Sequence, residues 1–157
     1  MPFMQWTEML TIDGDAVDEQ HRGLFEAVNT FHEAVAGGHE QAAVARTLDL
    51  LLAYGEHHFA EEERLLAASA YPRLDQHRRQ HQQFLEQIAA FQQQLTKSGS
   101  GSGIGHSMSP FLGNWLVNHI MVSDRAYAVF LRGGGCIGSC ESSARLPLVS
   151  ASATPLL

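Results

Sequence analysis

The chain has 157 residues, 17 acidic side chains against 10 Lys and Arg, and a formal charge of -7 with histidines neutral. That length suits one domain able to bury a core without disulfide staples. The acidic balance and the lack of any basic cluster argue against nucleic acid or an anionic membrane as partner.

The opening MPFMQWTEML has neither the charged start nor the continuous apolar run of a signal peptide, and no segment is apolar enough to span a bilayer. The only cysteines, Cys136 and Cys140, lie near the end, so the core does not depend on disulfides and a reducing cytoplasm is expected. Apolar residues recur at helical spacing in four segments, with no alternating strand-like run.

The first predicted helix runs from about Asp15 to Ala36, with Val17, His21, Leu24, Phe25, Val28, Phe31 and Val35 on one face, and Gly37-Gly38 stops it. The second runs from about Glu40 to Ala68 and carries Val44, Leu48, Leu51, Gly55, His58, Glu62 and Leu65 at alternating steps of four and three. Pro72 suits the first turn of the third, whose inner face holds Leu74, His77, His81, Phe84, Ile88, Phe91 and Leu95 before the flexible run Lys97 to Gly103. Ser109-Pro110 reads as an N-cap followed by Pro at the first helical position, opening a fourth helix that reaches about Leu131.

Short connections make neighbouring helices antiparallel, so the expected fold is all-α, an up-down-up-down four-helix bundle over residues 1–132. The remainder, 133–157, is rich in small residues, lacks a helical stripe and is expected to be a disordered C-terminal tail.

Ionisable residues sit on the apolar stripes of all four segments: His21, then His58 with Glu62, then His77 with His81, then His119 with Asp124. An i,i+4 pair points two side chains the same way, one turn apart. Buried carboxylates and packed imidazoles are costly unless a compensating charge is supplied, and metal cations supply it. Any one of these residues alone reads best as a satisfied core or surface group. Four segments each presenting such groups inward reverse that balance.

With no thiolate in the set, a cysteine-rich structural zinc site is disfavoured, and imidazole with carboxylate suits iron or manganese. Two roughly octahedral ions offer about twelve coordination positions. Five histidines, two bridging carboxylates and one solvent bridge fill all but one. An open position on a reducible two-metal centre in an apolar pocket suits a small diatomic ligand.

Two spacings are less simple. His57–Glu61 is also an i,i+4 pair, but its line runs through Tyr54 and Arg64 toward solvent, so His58 and Glu62 are preferred. The step of five from His119 to Asp124 separates the side chains by about 140° on an ideal helix. Either Asp124 reaches in from the edge of the stripe or a π-bulge brings it round. His32 is expected at the edge of the first stripe, hydrogen-bonded, with His39 and His106 solvated at helix ends. Cys136 and Cys140 have neither the spacing of redox or zinc motifs nor a scaffold.

The chain resembles the hemerythrin family, in its single-domain bacterial form. The resemblance rests on Trp6, Val17-Asp18-Glu19-Gln20-His21, His58-Phe59-Ala60-Glu61-Glu62-Glu63, Tyr71-Pro72 with His77 and His81, and Trp115-Leu116-Val117-Asn118-His119 with Asp124, and covers about residues 1–132. It implies two iron ions with a bridging hydroxide or oxide and O2 as ligand. His77, His81 and His119 would saturate one iron; His21 and His58 would hold the other, which keeps a position for O2; Glu62 and Asp124 would bridge them. Leu24, Phe25, Phe59, Trp115, Leu116 and Ile120 match positions lining the family's O2 pocket, where they exclude water.

The resemblance thus implies an O2-binding metalloprotein for storage, transport or delivery, acting as a monomer in the cytoplasm, rather than an enzyme. Its alternatives are an oxygen or redox sensor acting through a protein partner, and a di-iron peroxidase or NO-reducing enzyme. An O2-consuming enzyme or a signalling protein would be the partner, and the tail is unlike family chains, which usually stop near the end of the fourth helix.

Overall fold

A computed structural model describes residues 2–12, 15–99 and 103–133. The expected tail with Cys136 and Cys140, and the centre of the Gly-Ser run, lie outside the described residues. Among those described there is no strand, and four helical rods account for most of the chain.

Helix α1 spans Asp15–Ala36. It ends in a Schellman turn: His39 N–H donates to Ala34 O at 2.9 Å and Gly38 N–H to Val35 O at 3.1 Å, with Gly38 at φ 81°. The second rod is α2 (Glu40–Tyr54), a π-helical turn over Gly55–Phe59, and α3 (Ala60–Ala68). The extra residue taken up by that turn shifts the stripe, so Leu66 is fully buried where spacing alone had pointed to Leu65.

This rod also closes in a Schellman turn, from Tyr71 N–H to Leu66 O at 3.0 Å and Ala70 N–H to Ala67 O at 3.1 Å. Here the left-handed position is Ala70, at φ 52°. A Cβ in that region costs roughly 1–2 kcal/mol, partly offset by the greater freedom glycine has in the unfolded chain. Ala70→Gly is therefore expected to stabilise the fold by about 0.5–1 kcal/mol. Urea unfolding checks this: a higher midpoint at unchanged slope is the expected result.

Pro72 sits in the turn before α4, which spans Leu74–Ser98 and stops at Gly99, φ 63°. The fourth rod is α5 (Ile104–Asn118), a π-helical segment over His119–Asp124, and α6 (Arg125–Arg132). Its start corrects the sequence expectation. Pro110 lies inside α5, and Ser109 is no cap, because its hydroxyl donates back to Gly105 O at 3.2 Å.

The helix begins earlier because its cap comes from another rod. Gly105 N–H donates to Glu40 Oε1 at 2.9 Å, satisfying an orphan donor of the first turn. Gly105 also permits close approach of α1, since a Cβ there would meet Val35 Cγ2 at 2.7 Å.

Each rod packs against the next in chain order, and the fourth packs against the first. The interior is apolar, with Val28, Phe31, Val44, Leu48, Ile88, Met108 and Leu112 at its centre. The arm before α1 folds back over the bundle. Met4 N–H donates to Asn29 Oδ1 at 2.7 Å, Asn29 Nδ2 returns a bond to Met4 O at 2.9 Å, and Ile12 N–H donates to Asp18 Oδ1 at 3.0 Å. This sets Trp6 edge-on to Phe25 at 5.3 Å and 6.5 Å from the His21 ring. No helix among the described residues is long and apolar enough to cross a membrane.

Candidate metal centre

Seven ionisable side chains converge inside this bundle: His21 from α1, His58 from the first π turn, Glu62 from α3, His77 and His81 from α4, and His119 and Asp124 from the two ends of the second π segment. All are buried, none more than 7 % exposed. The π segment supplies the answer to the step of five, because its wider turn brings Asp124 round to the side of His119. The π turn at Gly55–Phe59 was not foreseen, since His58 and Glu62 have ordinary helical spacing.

Glu62 Oε2 lies 2.9 Å from His77 Nε2 and 3.1 Å from His81 Nε2. Asp124 divides its oxygens. Oδ1 lies 3.1 Å from His119 Nε2 and 3.6 Å from His77 Nε2, while Oδ2 lies 3.3 Å from His21 Nε2. Glu62, His77, His81 and His119 each offer one donor atom, all within 4.8 Å of one another, a group able to hold a metal ion. The His58 ring lies 5.4 Å from that of His21.

These contacts are short but do not satisfy the groups that make them. Both Asp124 oxygens, Glu62 Oε1 and His21 Nδ1 are buried with no hydrogen-bond partner. His81 Nε2 and His119 Nε2 stand 3.0 Å apart. His81 directs Nδ1 to Glu63 Oε1 at 2.9 Å, and a carboxylate can only accept, so a neutral His81 carries a lone pair on Nε2. That lone pair faces another imidazole and a carboxylate oxygen, which is unfavourable without a cation or a proton between them. His58 likewise directs Nδ1 to an acceptor, Gln20 Oε1 at 2.7 Å, so its neutral ring also keeps a lone pair on Nε2. A surplus of inward lone pairs and unpartnered carboxylate oxygens fits the two-metal occupancy expected from the residue types.

Electrostatics follow the same geometry. Burial raises both buried carboxyls, but the surrounding histidines outweigh it: His77 and His81 hold Glu62 well below its usual range, and His119 and His21 hold Asp124 below its own against the added repulsion of Glu62. Burial pushes His58 down to about 4, favouring a neutral ring. His81 is also penalised by burial, yet its hydrogen bond to Glu62 and the nearby carboxylate charge raise it.

Aromatic rings hold three of the imidazoles in place. Phe59 stacks on His81 at 3.8 Å, Trp115 on His119 at 4.4 Å and Tyr54 on His58 at 4.6 Å. Beside them lies a small apolar cavity lined by Leu24, Val28, Leu51, Tyr54, Phe59, Phe84, Leu112, Trp115 and Leu116. Four of the six expected pocket residues are on its wall. Phe25 and Ile120 are buried in the core but do not line it. Val28, Leu51, Tyr54, Phe84 and Leu112 were missed, although Val28 is four residues from Leu24 and Leu112 four from Leu116.

Several residues stand outside the centre. His57 points away, 73 % exposed and 3.6 Å from Glu61 Oε2. His106 pairs with Glu40 at 3.5 Å near the surface, and His39 is exposed at the start of α2. His32 differs from expectation, because its Nδ1 is buried without a partner and its ring stacks on Phe3 at 4.2 Å. His57→Ala is expected to leave metal content unchanged, whereas His58→Ala should lower it. Metal analysis of the two purified variants decides, and the reverse pattern would overturn the preference for His58.

The profile of the hemerythrin HHE cation binding domain matches residues 13–131. The chain belongs to the hemerythrin family. A bacteriohemerythrin of Stenotrophomonas maltophilia (strain R551-3) is 34% identical over 128 residues, covering 82% of this chain and 81% of that protein. A myohemerythrin of Theromyzon tessulatum is 28% identical over 123 residues, covering 78% of this chain and 89% of its own. Crystal structures of hemerythrin mutants superpose with a TM-score of 0.73 at 26% identity, covering 82% of this chain and 97% of theirs. The hemerythrin match thus takes in all four rods and every residue of the converging cluster.

Proposed function

We propose that this hemerythrin binds O2 reversibly at a non-haem di-iron centre, serving oxygen storage, transport or delivery. The observation that carries this reading is the division of Asp124 between His21 on one side and His77 with His119 on the other, beside an apolar cavity. One iron would be held by His77, His81 and His119 and the other by His21 and His58, with Glu62 and Asp124 between them. When bound, such a pair supplies the electrons that let O2 be held and released.

The chain's own residues would do three things. Glu62 and Asp124 neutralise the metal charge within an apolar interior. Phe59, Trp115 and Tyr54 restrict the imidazoles to one orientation by stacking, which preorganises the donors. Leu24, Phe59, Trp115 and Leu116 keep water from the ligand position, and water there would promote irreversible oxidation. Five imidazoles with only two carboxylates stabilise high-valent iron less than a carboxylate-rich site does, which favours binding over oxidation.

A di-iron peroxidase or an NO-reducing enzyme is the competing reading. The reduced, iron-loaded protein should take up O2 without sustained consumption and show no multiple turnover of peroxide or NO with a reductant present. Sustained turnover of either would replace the carrier by an enzyme.

A further inference from the structure

The two halves of the centre differ in what stands behind their imidazoles. His81 turns Nδ1 to Glu63 Oε1 at 2.9 Å, and Arg78 Nε lies 3.4 Å from the other Glu63 oxygen. His58 turns Nδ1 to Gln20 Oε1 at 2.7 Å. One imidazole therefore leans on a carboxylate and the other on a neutral amide. Glu63 and Gln20 meet these imidazoles at Nδ1 and are not among the seven converging side chains.

A carboxylate accepting the Nδ1 proton makes the far nitrogen a stronger donor to a cation, and charge-assisted bonds of this kind are roughly twice as strong as neutral ones. A stronger donor favours Fe(III) over Fe(II). Glu63 is 26 % exposed, so water screens it only in part, and Arg78 fixes its orientation from the surface side.

We propose that Glu63, oriented by Arg78, is a positioning residue that makes the His81 side of the centre harder to reduce than the His58 side. The two iron positions then have unequal potentials, and in the half-oxidised protein Fe(III) resides at the His81 position. The side held by His21 and His58 is the first to accept an electron and the last to lose one. This deepens the proposed function and rests on its placing His81 and His58 on different ions.

The test is a spectroelectrochemical titration of the iron-loaded full-length protein, as wild type, Glu63→Gln and Gln20→Glu. Glu63→Gln keeps the shape of the side chain at a partly exposed position. Wild type should show two separated one-electron steps. In Glu63→Gln the lower potential should rise, by about 59 mV for each tenfold loss of Fe(III) preference. In Gln20→Glu the higher potential should fall, again narrowing the gap. Iron retention against a chelator should weaken roughly 10–100-fold in Glu63→Gln.

Two-iron variants with both potentials unmoved would overturn the role of Glu63 while leaving the di-iron reading intact. Wild type unable to load two irons would overturn both. Should Glu63→Gln lose its iron, Gln20→Glu decides alone: a lowered higher potential supports the proposal, and an unchanged one contradicts it.

Discussion

Glu62→Ala and Asp124→Ala should each yield a folded helical protein that fails to keep two irons per chain. Each carboxylate ties its own rod to histidines of others: Glu62, on the second rod, faces His77 and His81 of the third, and Asp124 faces His77, His119 and His21 from three rods. Truncating either removes donor oxygens and a negative charge that nothing else in the buried cluster replaces. Changes to residues behind metal ligands commonly cost 10–100-fold in affinity, so loss of a bridging ligand should cost more than about 100-fold. Iron per chain, measured beside far-UV circular dichroism to verify folding, checks this. Full two-iron loading of either variant would contradict the bridging assignment.

Removing the metal should cost stability as well as colour. Five buried imidazoles and two buried carboxylates, several with unpartnered atoms, are then left facing one another. A ligand that binds only the folded state stabilises by about 4 kcal/mol when its free concentration is a thousandfold above its dissociation constant. In a domain of this size each kcal/mol moves the melting temperature by about 2–4 °C, so a fall of roughly 8–16 °C is expected on chelation. Thermal unfolding followed by circular dichroism, before chelation, after it and after iron is restored, gives the answer. Equal melting temperatures throughout would mean that the cluster does not bind metal tightly in the folded state.

The bundle was legible in the sequence because its four stripes are long and their stop signals, such as Gly37-Gly38, are local. The candidate ligands were legible for the same reason, since an ionisable residue on an apolar stripe stands out. His58 could be separated from His57 by following the stripe, and the awkward step from His119 to Asp124 already raised the possibility of a wider turn. What could not be read depends on contacts between rods. The start of α5 is set by Glu40, 65 residues away from Gly105 in sequence, so Ser109-Pro110 offered a plausible local signal for the wrong place.

The partners of the imidazoles were hidden for a related reason. Gln20 and Glu63 lie next to His21 and Glu62 in sequence, yet they serve His58 and His81 on other segments. Neither helical periodicity nor motif spacing reports such a crossing. The cavity wall shows an intermediate case: Leu24 and Leu116 were recovered, while Tyr54 and Phe84 depend on how closely the second and third rods approach.

The most direct test of the central claim is a visible spectrum of the anaerobically reduced, iron-loaded protein, recorded with iron per chain as O2 is admitted, withdrawn under vacuum and readmitted. Two irons and a coloured adduct that fades and returns over repeated cycles are the predicted result. Prompt irreversible oxidation, or one metal or none per chain, would contradict it.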